Sequence, residues 1–284
     1  MKLTKMFEPK LWLGRKQKKD ISKTIFVHVP KCGGTTIEKA LNKFYYGKNR
    51  PLFSRLETEP NINFRSFMET LRIYSDNQNT QNNNDYQGLS QALLAYKMSR
   101  SSTLLSGHFT ISEILLANFS HDYSFITILR DPSDRWISNY IYSRIRLSQK
   151  GLRNEVKSLK DELLFFIESD SAKEEGSIYS FYFGEKKRMD FPASDNTLNQ
   201  AINNLSMFNI IGFLDSIDDF KKKLENNLGV KLNFEHARKT IEEVDPLGYR
   251  YQEYRNLFDS NMTEIIKELC QADYKIYNYC QKEL

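Results

Sequence analysis

Cysteine is scarce in this chain of 284 residues, with only Cys32, Cys270 and Cys280. So small and odd a number excludes a disulfide scaffold and fits a reducing compartment. Histidine is nearly as rare, at four residues, and no Cys/His cluster has zinc-ligand spacing, so no metal is expected. No run approaches the length of a membrane-spanning apolar helix, which argues against a transmembrane segment. The N-terminal stretch lacks the apolar core of a signal peptide, Leu11-Trp12-Leu13 being its longest apolar run. With neither anchor nor signal visible, the expected location is cytoplasmic. The chain also lacks a Pro/Gly/Ser-rich divider, with 7 prolines and 12 glycines in all.

Charge of one sign is confined to one end. Lys2, Lys5, Lys10, Arg15, Lys16, Lys18 and Lys19 stand against Glu8 and Asp20, and account for the whole net charge of +5. Residues 21–284 are balanced, which argues against a nucleic-acid partner. Any anionic ligand must be held by local groups. Residues 1–20 read as a solvated basic tail, the alternative being a contact with a membrane surface or an acidic partner. The rest, 40% hydrophobic and 27% charged over the full chain, is ordinary globular composition, read as one domain over 21–284. Its oligomeric state is not encoded in any pattern.

Ile25–Val29 is a β-rich run ending at Pro30. A glycine loop follows, then a helical stretch from about Thr36 to Phe44. Asn79–Asn84 is a polar tip read as a loop, and Leu89–Met98 reads as a helix. Thr103–Leu105 is a second apolar run, broken at Gly107, and a helix is expected from about Ser112 to Asn118. Phe125–Leu129 has the β-branched content of a strand. Asp131 suits the N-cap of the next helix, Pro132 its first turn and Asp134 its dipole, with the end near Arg146. A helix at Leu159–Glu168, an aromatic cluster at Tyr179–Phe183 and an amphipathic stretch at Thr197–Met207 come next. Ile210–Phe213 is a fourth strand. Asp215 or Ser216 then caps a helix carrying Ile217, Phe220, Leu224 and Leu228, stopped by Gly229. Tyr251–Tyr279 reads as mostly helical. Strands alternating with helices predict an α/β layered fold with a largely parallel sheet.

Pro30-Lys31-Cys32-Gly33-Gly34-Thr35-Thr36 lies at the carboxyl end of the first strand, where such folds bind ligands. Gly33 and Gly34 let backbone N–H groups approach an anion. The following helix contributes its positive end, Thr35 and Thr36 contribute hydroxyls, and Lys31 contributes a point charge. The pattern is not the nucleoside-triphosphate loop in which Lys-Ser/Thr follows the last glycine, because here the lysine precedes the glycines. Residues 125–130 also lack a clear carboxylate for magnesium. The plainer alternative is an ordinary glycine turn.

Phe26–Thr36 resembles the 5′-phosphosulfate loop of sulfotransferases, closest to the carbohydrate group typified by the heparan sulfate 2-O- and uronyl 2-O-sulfotransferases. The resemblance implies a three-layer fold like that of the P-loop NTPases, with 3′-phosphoadenosine 5′-phosphosulfate (PAPS) as co-substrate. Leu129–Tyr140 is similar to the family's 3′-phosphate motif, an arginine at a strand end with a serine eight residues on, here Arg130 and Ser138. Arginine's fork suits a phosphate at that edge. Arg135 between them reads as a structural ion-pair partner. Leu105–Phe109 resembles the family's Gly-His element, which assigns His108 as general base. His28, in the strand before the loop, reads as structural, while His121 and His236 lie in polar connections. Ala237-Arg238-Lys239-Thr240 is similar to a basic segment that closes over the nucleotide. Lys221–Lys223 and Lys186–Arg188 read as solvated faces, although the second could touch an anionic acceptor.

The resemblance thus implies an enzyme that transfers a sulfuryl group to a hydroxyl acceptor, expected to be a glycan. His108 and Lys31 carry the chemistry, and Lys31, Cys32, Gly33, Gly34, Thr35, Thr36, Arg130, Ser138, Arg238, Lys239 and Thr240 bind the donor. A P-loop kinase or NTPase, and a catalytically silent nucleotide- or glycan-binding protein, are the rival readings. Residues 45–100 and 148–196, where the acceptor would bind, contain no legible motif.

Overall fold

A computed structural model describes residues 23–47, 83–100, 102–149, 158–185, 192–234 and 249–284. The basic tail, Lys186–Arg188, His236 and Ala237–Thr240 lie outside the described residues. Lys23–Val27 (β1), Leu104–Gly107 (β2), Tyr123–Leu129 (β3) and Ile210–Phe213 (β4) form one sheet in the order β2-β1-β3-β4, each neighbouring pair parallel. This is the expected α/β class. All seven residues of β3 are buried, as are four of five in β1. Central strands of a parallel sheet are covered on both faces, so they are apolar nearly throughout instead of alternating.

Helices flank the sheet: Gly34–Tyr46 (α1), Asn83–Ser99 (α2), Glu113–Phe119 (α3), Pro132–Gln149 (α4), Leu159–Ile167 (α5), Asp170–Glu175 (α6), Ile178–Phe183 (α7), Asp195–Ser206 (α8), Ile217–Leu228 (α9), Tyr249–Arg255 (α10), Ser260–Leu269 (α11) and Gln271–Glu283 (α12). The main core lies between the sheet and these layers, around Phe26, Phe125, Ile128 and Leu41. A second cluster packs α4 against α5 and α11, where Trp136 and Tyr140 stack with centroids 5.7 Å apart.

The differences from the sequence reading have local causes. β1 starts two residues early and stops at Val27, although the His28 N–H still donates to the Gly107 carbonyl at 2.9 Å. Helix α2 begins at Asn83, so Asn83 and Asn84 belong to its first turn and not to a loop. Neither Asp215 nor Ser216 caps α9 through its side chain; a 3-10 turn at Leu214–Ser216 runs into the helix instead. Gly229, at φ 67°, does end α9. Asp131 caps α4 as expected: its Oδ1 accepts from the Asp134 N–H at 3.0 Å and from Ser133 Oγ at 2.7 Å.

Candidate active site

The loop between β1 and α1 is built by alternating backbone handedness. Lys31 has φ 67° and Gly33 φ 78°, while Cys32 and Gly34 between and after them stay at negative φ. Such alternation turns successive N–H groups towards one concavity, which suits an anion. A left-handed lysine is strained, which argues that the loop's shape is imposed by its surroundings. Gly33 occupies the N-cap of α1 and, having no side chain, supplies no capping hydrogen bond to that end. The positive end of a 13-residue helix therefore faces the loop. Thr35 and Thr36 stand half-buried in its first turn.

Each glycine has its own reason. A Cβ at Gly33 would lie 2.7 Å from Leu214 Cδ1, so the turn after β4 covers the loop on that side. A Cβ at Gly34 would lie 2.1 Å from His28 Cδ2, because the His28 ring rests on that residue. The Cys32 thiol points away from the concavity. It is fully buried beside the Tyr179 hydroxyl at 3.7 Å, and burial pushes it up to about 11, so only its backbone can serve a ligand.

Two cations meet over the loop. Arg130 Nη1 donates to the Lys31 carbonyl at 3.4 Å, joining segments 99 residues apart. Burial, and then the neighbouring Arg130, lower the Lys31 ammonium to about 8. Its Nζ lies 4.0 Å from the centre of the Tyr142 ring, a cation–π contact. Ser138 precedes Tyr142 by one turn on the same face of α4, so the face of α4 that carries Ser138 is the one that reaches Lys31.

His108 follows β2, next to the loop. Its Nδ1–H donates to the His28 carbonyl at 2.6 Å. A carbonyl only accepts, so the neutral ring carries its basic lone pair on Nε2. The His108 side chain is exposed, and its ring centroid is 4.5 Å from that of His28. His28 is buried, with Nδ1 3.7 Å from Glu38 Oε2, while Glu38 Oε1 accepts from Ser106 Oγ at 3.1 Å. His28 thus fills the space over Gly34 and presents the carbonyl that orients His108, which gives the structural reading of this histidine a specific content. His121 is exposed beside Asp122.

Sequence reasoning missed the support beneath these groups. The Tyr179 hydroxyl accepts from the Arg130 N–H at 3.0 Å and donates to the Arg130 carbonyl. The Tyr179 N–H donates to Asp273 Oδ1 at 2.9 Å. Arg135 is fully buried and pairs with Glu175 at 3.1 Å, the structural ion pair expected of it. The aromatic run at 179–183 was the available signal, but nothing local to it indicates Arg130.

Among the described residues no group of three His, Cys, Asp or Glu side chains is placed to hold a metal ion, and no helix is long and apolar enough to cross a membrane. A comparison with curated proteins finds no match. The family model described as the sulfotransferase family matches residues 18–280. That match starts ahead of β1 and ends within α12, so it takes in the whole sheet and every group placed at its edge, and the chain belongs to the sulfotransferase family.

Proposed function

We propose that this sulfotransferase uses PAPS as donor and a hydroxyl group, on a carbohydrate, as acceptor. The observation that carries the donor assignment is the meeting of Lys31 and Arg130 across 99 residues, over a loop whose N–H groups converge at a helix N-terminus. Among the described residues neither cation has a carboxylate in ion-pair range. Holding two like charges together is unfavourable until an anion lies between or beside them. A nucleotide with a 5′-phosphosulfate at the loop and a 3′-phosphate at Arg130 and Ser138 fits that demand. Arg238, Lys239 and Thr240 are assigned to close over it. The carbohydrate acceptor rests on the likeness of residues 26–36, 105–109 and 129–140 to the carbohydrate sulfotransferases.

The donor supplies the sulfuryl group and a phosphate that can leave with the bridging oxygen's electron pair. His108 Nε2 takes the hydroxyl proton as the acceptor oxygen bonds to sulfur and the bond from sulfur to the bridging oxygen breaks. Lys31 and the loop N–H groups meet the charge that develops on that oxygen. His108 can serve because its Nδ1 is committed to the His28 carbonyl, which keeps the basic nitrogen on the other side of the ring. A sulfuryl group carries less charge than a phosphoryl group, so protein cations and N–H groups suffice without a metal clamp.

Calorimetry with adenosine 3′,5′-bisphosphate and adenosine 5′-monophosphate tests the donor. A charge-assisted contact is worth about 1.5–3 kcal/mol, so the bisphosphate should bind at least about tenfold more tightly. Arg130→Ala should remove most of that preference. Equal affinity for both nucleotides would overturn the assignment. Labelled donor offered to a panel of glycans, phenols and lipid alcohols then identifies the acceptor.

A further inference from the structure

We propose that Tyr179 is a positioning residue for the donor site, fixing the Arg130 backbone and the Lys31–Gly33 loop in one relative placement. The proposal rests on the donor reading above. Tyr179 has no exposed surface. Its hydroxyl takes both backbone groups of Arg130, the N–H at 3.0 Å and the carbonyl, and also touches Cys32 Sγ at 3.7 Å. One phenol oxygen therefore bridges the two segments that would hold opposite ends of the nucleotide.

The bridge sits where the sheet stops helping. The pairing of β1 with β3 ends at Val27 and Thr127, and that of β3 with β4 at Leu129 and Phe213. Arg130 comes next, so its backbone has left the ladder, and Tyr179 supplies the partners that a neighbouring strand would have supplied. Burial holds the phenol well above its ordinary range, so it keeps the proton it must donate.

Tyr179 is itself anchored. Asp273 Oδ1, on α12, accepts from the N–H groups of Tyr179 at 2.9 Å and Ser180 at 3.4 Å. The second carboxyl oxygen of Asp273 is buried without a hydrogen-bond partner among the described residues. A carboxyl group buried in this way fixes the start of α7 through its Oδ1, and with it the reach of the phenol. The chain of contacts runs from α12 through α7 to Arg130 and Cys32, and none of its supporting members faces the ligand.

A merely structural tyrosine would affect stability alone, so the test reads nucleotide preference. Tyr179→Phe and Tyr123→Phe are compared by calorimetry with adenosine 3′,5′-bisphosphate and adenosine 5′-monophosphate, alongside thermal melts. Tyr123 is the control: its buried hydroxyl donates to the Met98 carbonyl at 3.0 Å, at the opposite end of β3. Tyr179→Phe should narrow the preference for the bisphosphate by about two- to tenfold, the worth of one ordinary hydrogen bond. Tyr123→Phe should melt lower and keep the parent's preference. A parent that discriminates and a folded Tyr179→Phe that discriminates equally well overturn the proposal and leave the donor reading standing. A parent that does not discriminate overturns the donor reading and this proposal with it. If Tyr179→Phe does not fold, Asp273→Ala takes its place. It keeps the phenol but removes the acceptor for the Tyr179 and Ser180 N–H groups, and an unchanged preference in that variant also overturns the proposal.

Discussion

Gly34→Ala tests how the loop, the buried histidine and the exposed one depend on each other. An alanine Cβ at that position would lie 2.1 Å from His28 Cδ2, 2.4 Å from Nε2 and 2.8 Å from Cγ. Three ring atoms below 3 Å mean that the ring must move. It has little room to do so: His28 is 7% exposed, with Glu38 on one side and the His108 ring on another. Forcing extra volume into such a place costs about 1–3 kcal/mol. Gly34 is in the first turn of α1 at negative φ, so alanine also gains about 0.4–1 kcal/mol from a less flexible unfolded chain. The net is a loss of about 1–2 kcal/mol, and at about 2–4 °C per kcal/mol for a chain of this size, Tm should fall by several degrees.

The signature lies in the cycle with His28→Ala. Removing the ring destabilises the protein by itself, but it also opens the space that the added methyl group needs. On that background Gly34→Ala should cost nothing, or even stabilise slightly. The coupling of about 1–2 kcal/mol lies within the range expected of residues in direct contact. Melting curves of the four proteins decide it. An equal cost for Gly34→Ala with and without His28 would refute the steric argument. Turnover should fall in Gly34→Ala as well, because the His28 carbonyl that orients His108 shifts with its ring.

Three further outcomes are expected. Lys31 loses its proton near pH 8 in the free protein, so affinity for adenosine 3′,5′-bisphosphate should weaken as pH rises through about 8; Lys31→Arg, read by calorimetry at several pH values, should abolish that dependence. His108→Ala should leave nucleotide affinity near the parent's while turnover drops by about 10²–10⁴, the usual worth of a general base, whereas Lys31→Ala should lower both; a His108→Ala that folds and turns over at the parent rate removes the base assignment. Burial raises the Asp273 carboxyl from 3.8 to about 7, so between those values the folded state holds a proton that the unfolded state releases. Stability from this group therefore falls as pH rises from about 4 to 7 and is flat above, and the melting temperature of Asp273→Asn should decline less steeply from about pH 5 to 8 than the parent's.

The half of the candidate site proposed to face the ligand was legible because each of its parts is local. A lysine, two glycines and a strand-to-helix junction lie within seven residues, and Arg130 and Ser138 lie within one strand end and the helix after it. The parallel sheet was legible too, because strands such as Tyr123–Leu129 alternate along the chain with helices. What it could not show is the support. Tyr179 is 49 residues from Arg130 and Asp273 is 94 from Tyr179, and both contacts depend on how helices dock. Helices α6 and α7 have six residues each, too few for a 3.6-residue period to register. The need for glycine at 34 was legible as a backbone signal, but its cause, the ring of His28, is a packing fact.

The two halves meet in one electrostatic argument. The proposed donor site places Lys31 and Arg130 together without a neutralising carboxylate among the described residues, and part of the lowering of Lys31 comes from Arg130. An anion bound at the loop reverses that lowering, so binding near pH 8 should draw a proton onto Lys31 from solution. The repulsion also pushes the two cations apart, and something must resist it. Side-chain contacts alone would let the arginine swing away. What holds it is backbone: Arg130 is gripped at both its N–H and its carbonyl by Tyr179, and Lys31 is set in a left-handed turn between Pro30 and the buried Cys32. The fold thus places its rigidity one layer beneath the charges, where a neutral phenol can hold the backbone without competing for the anion.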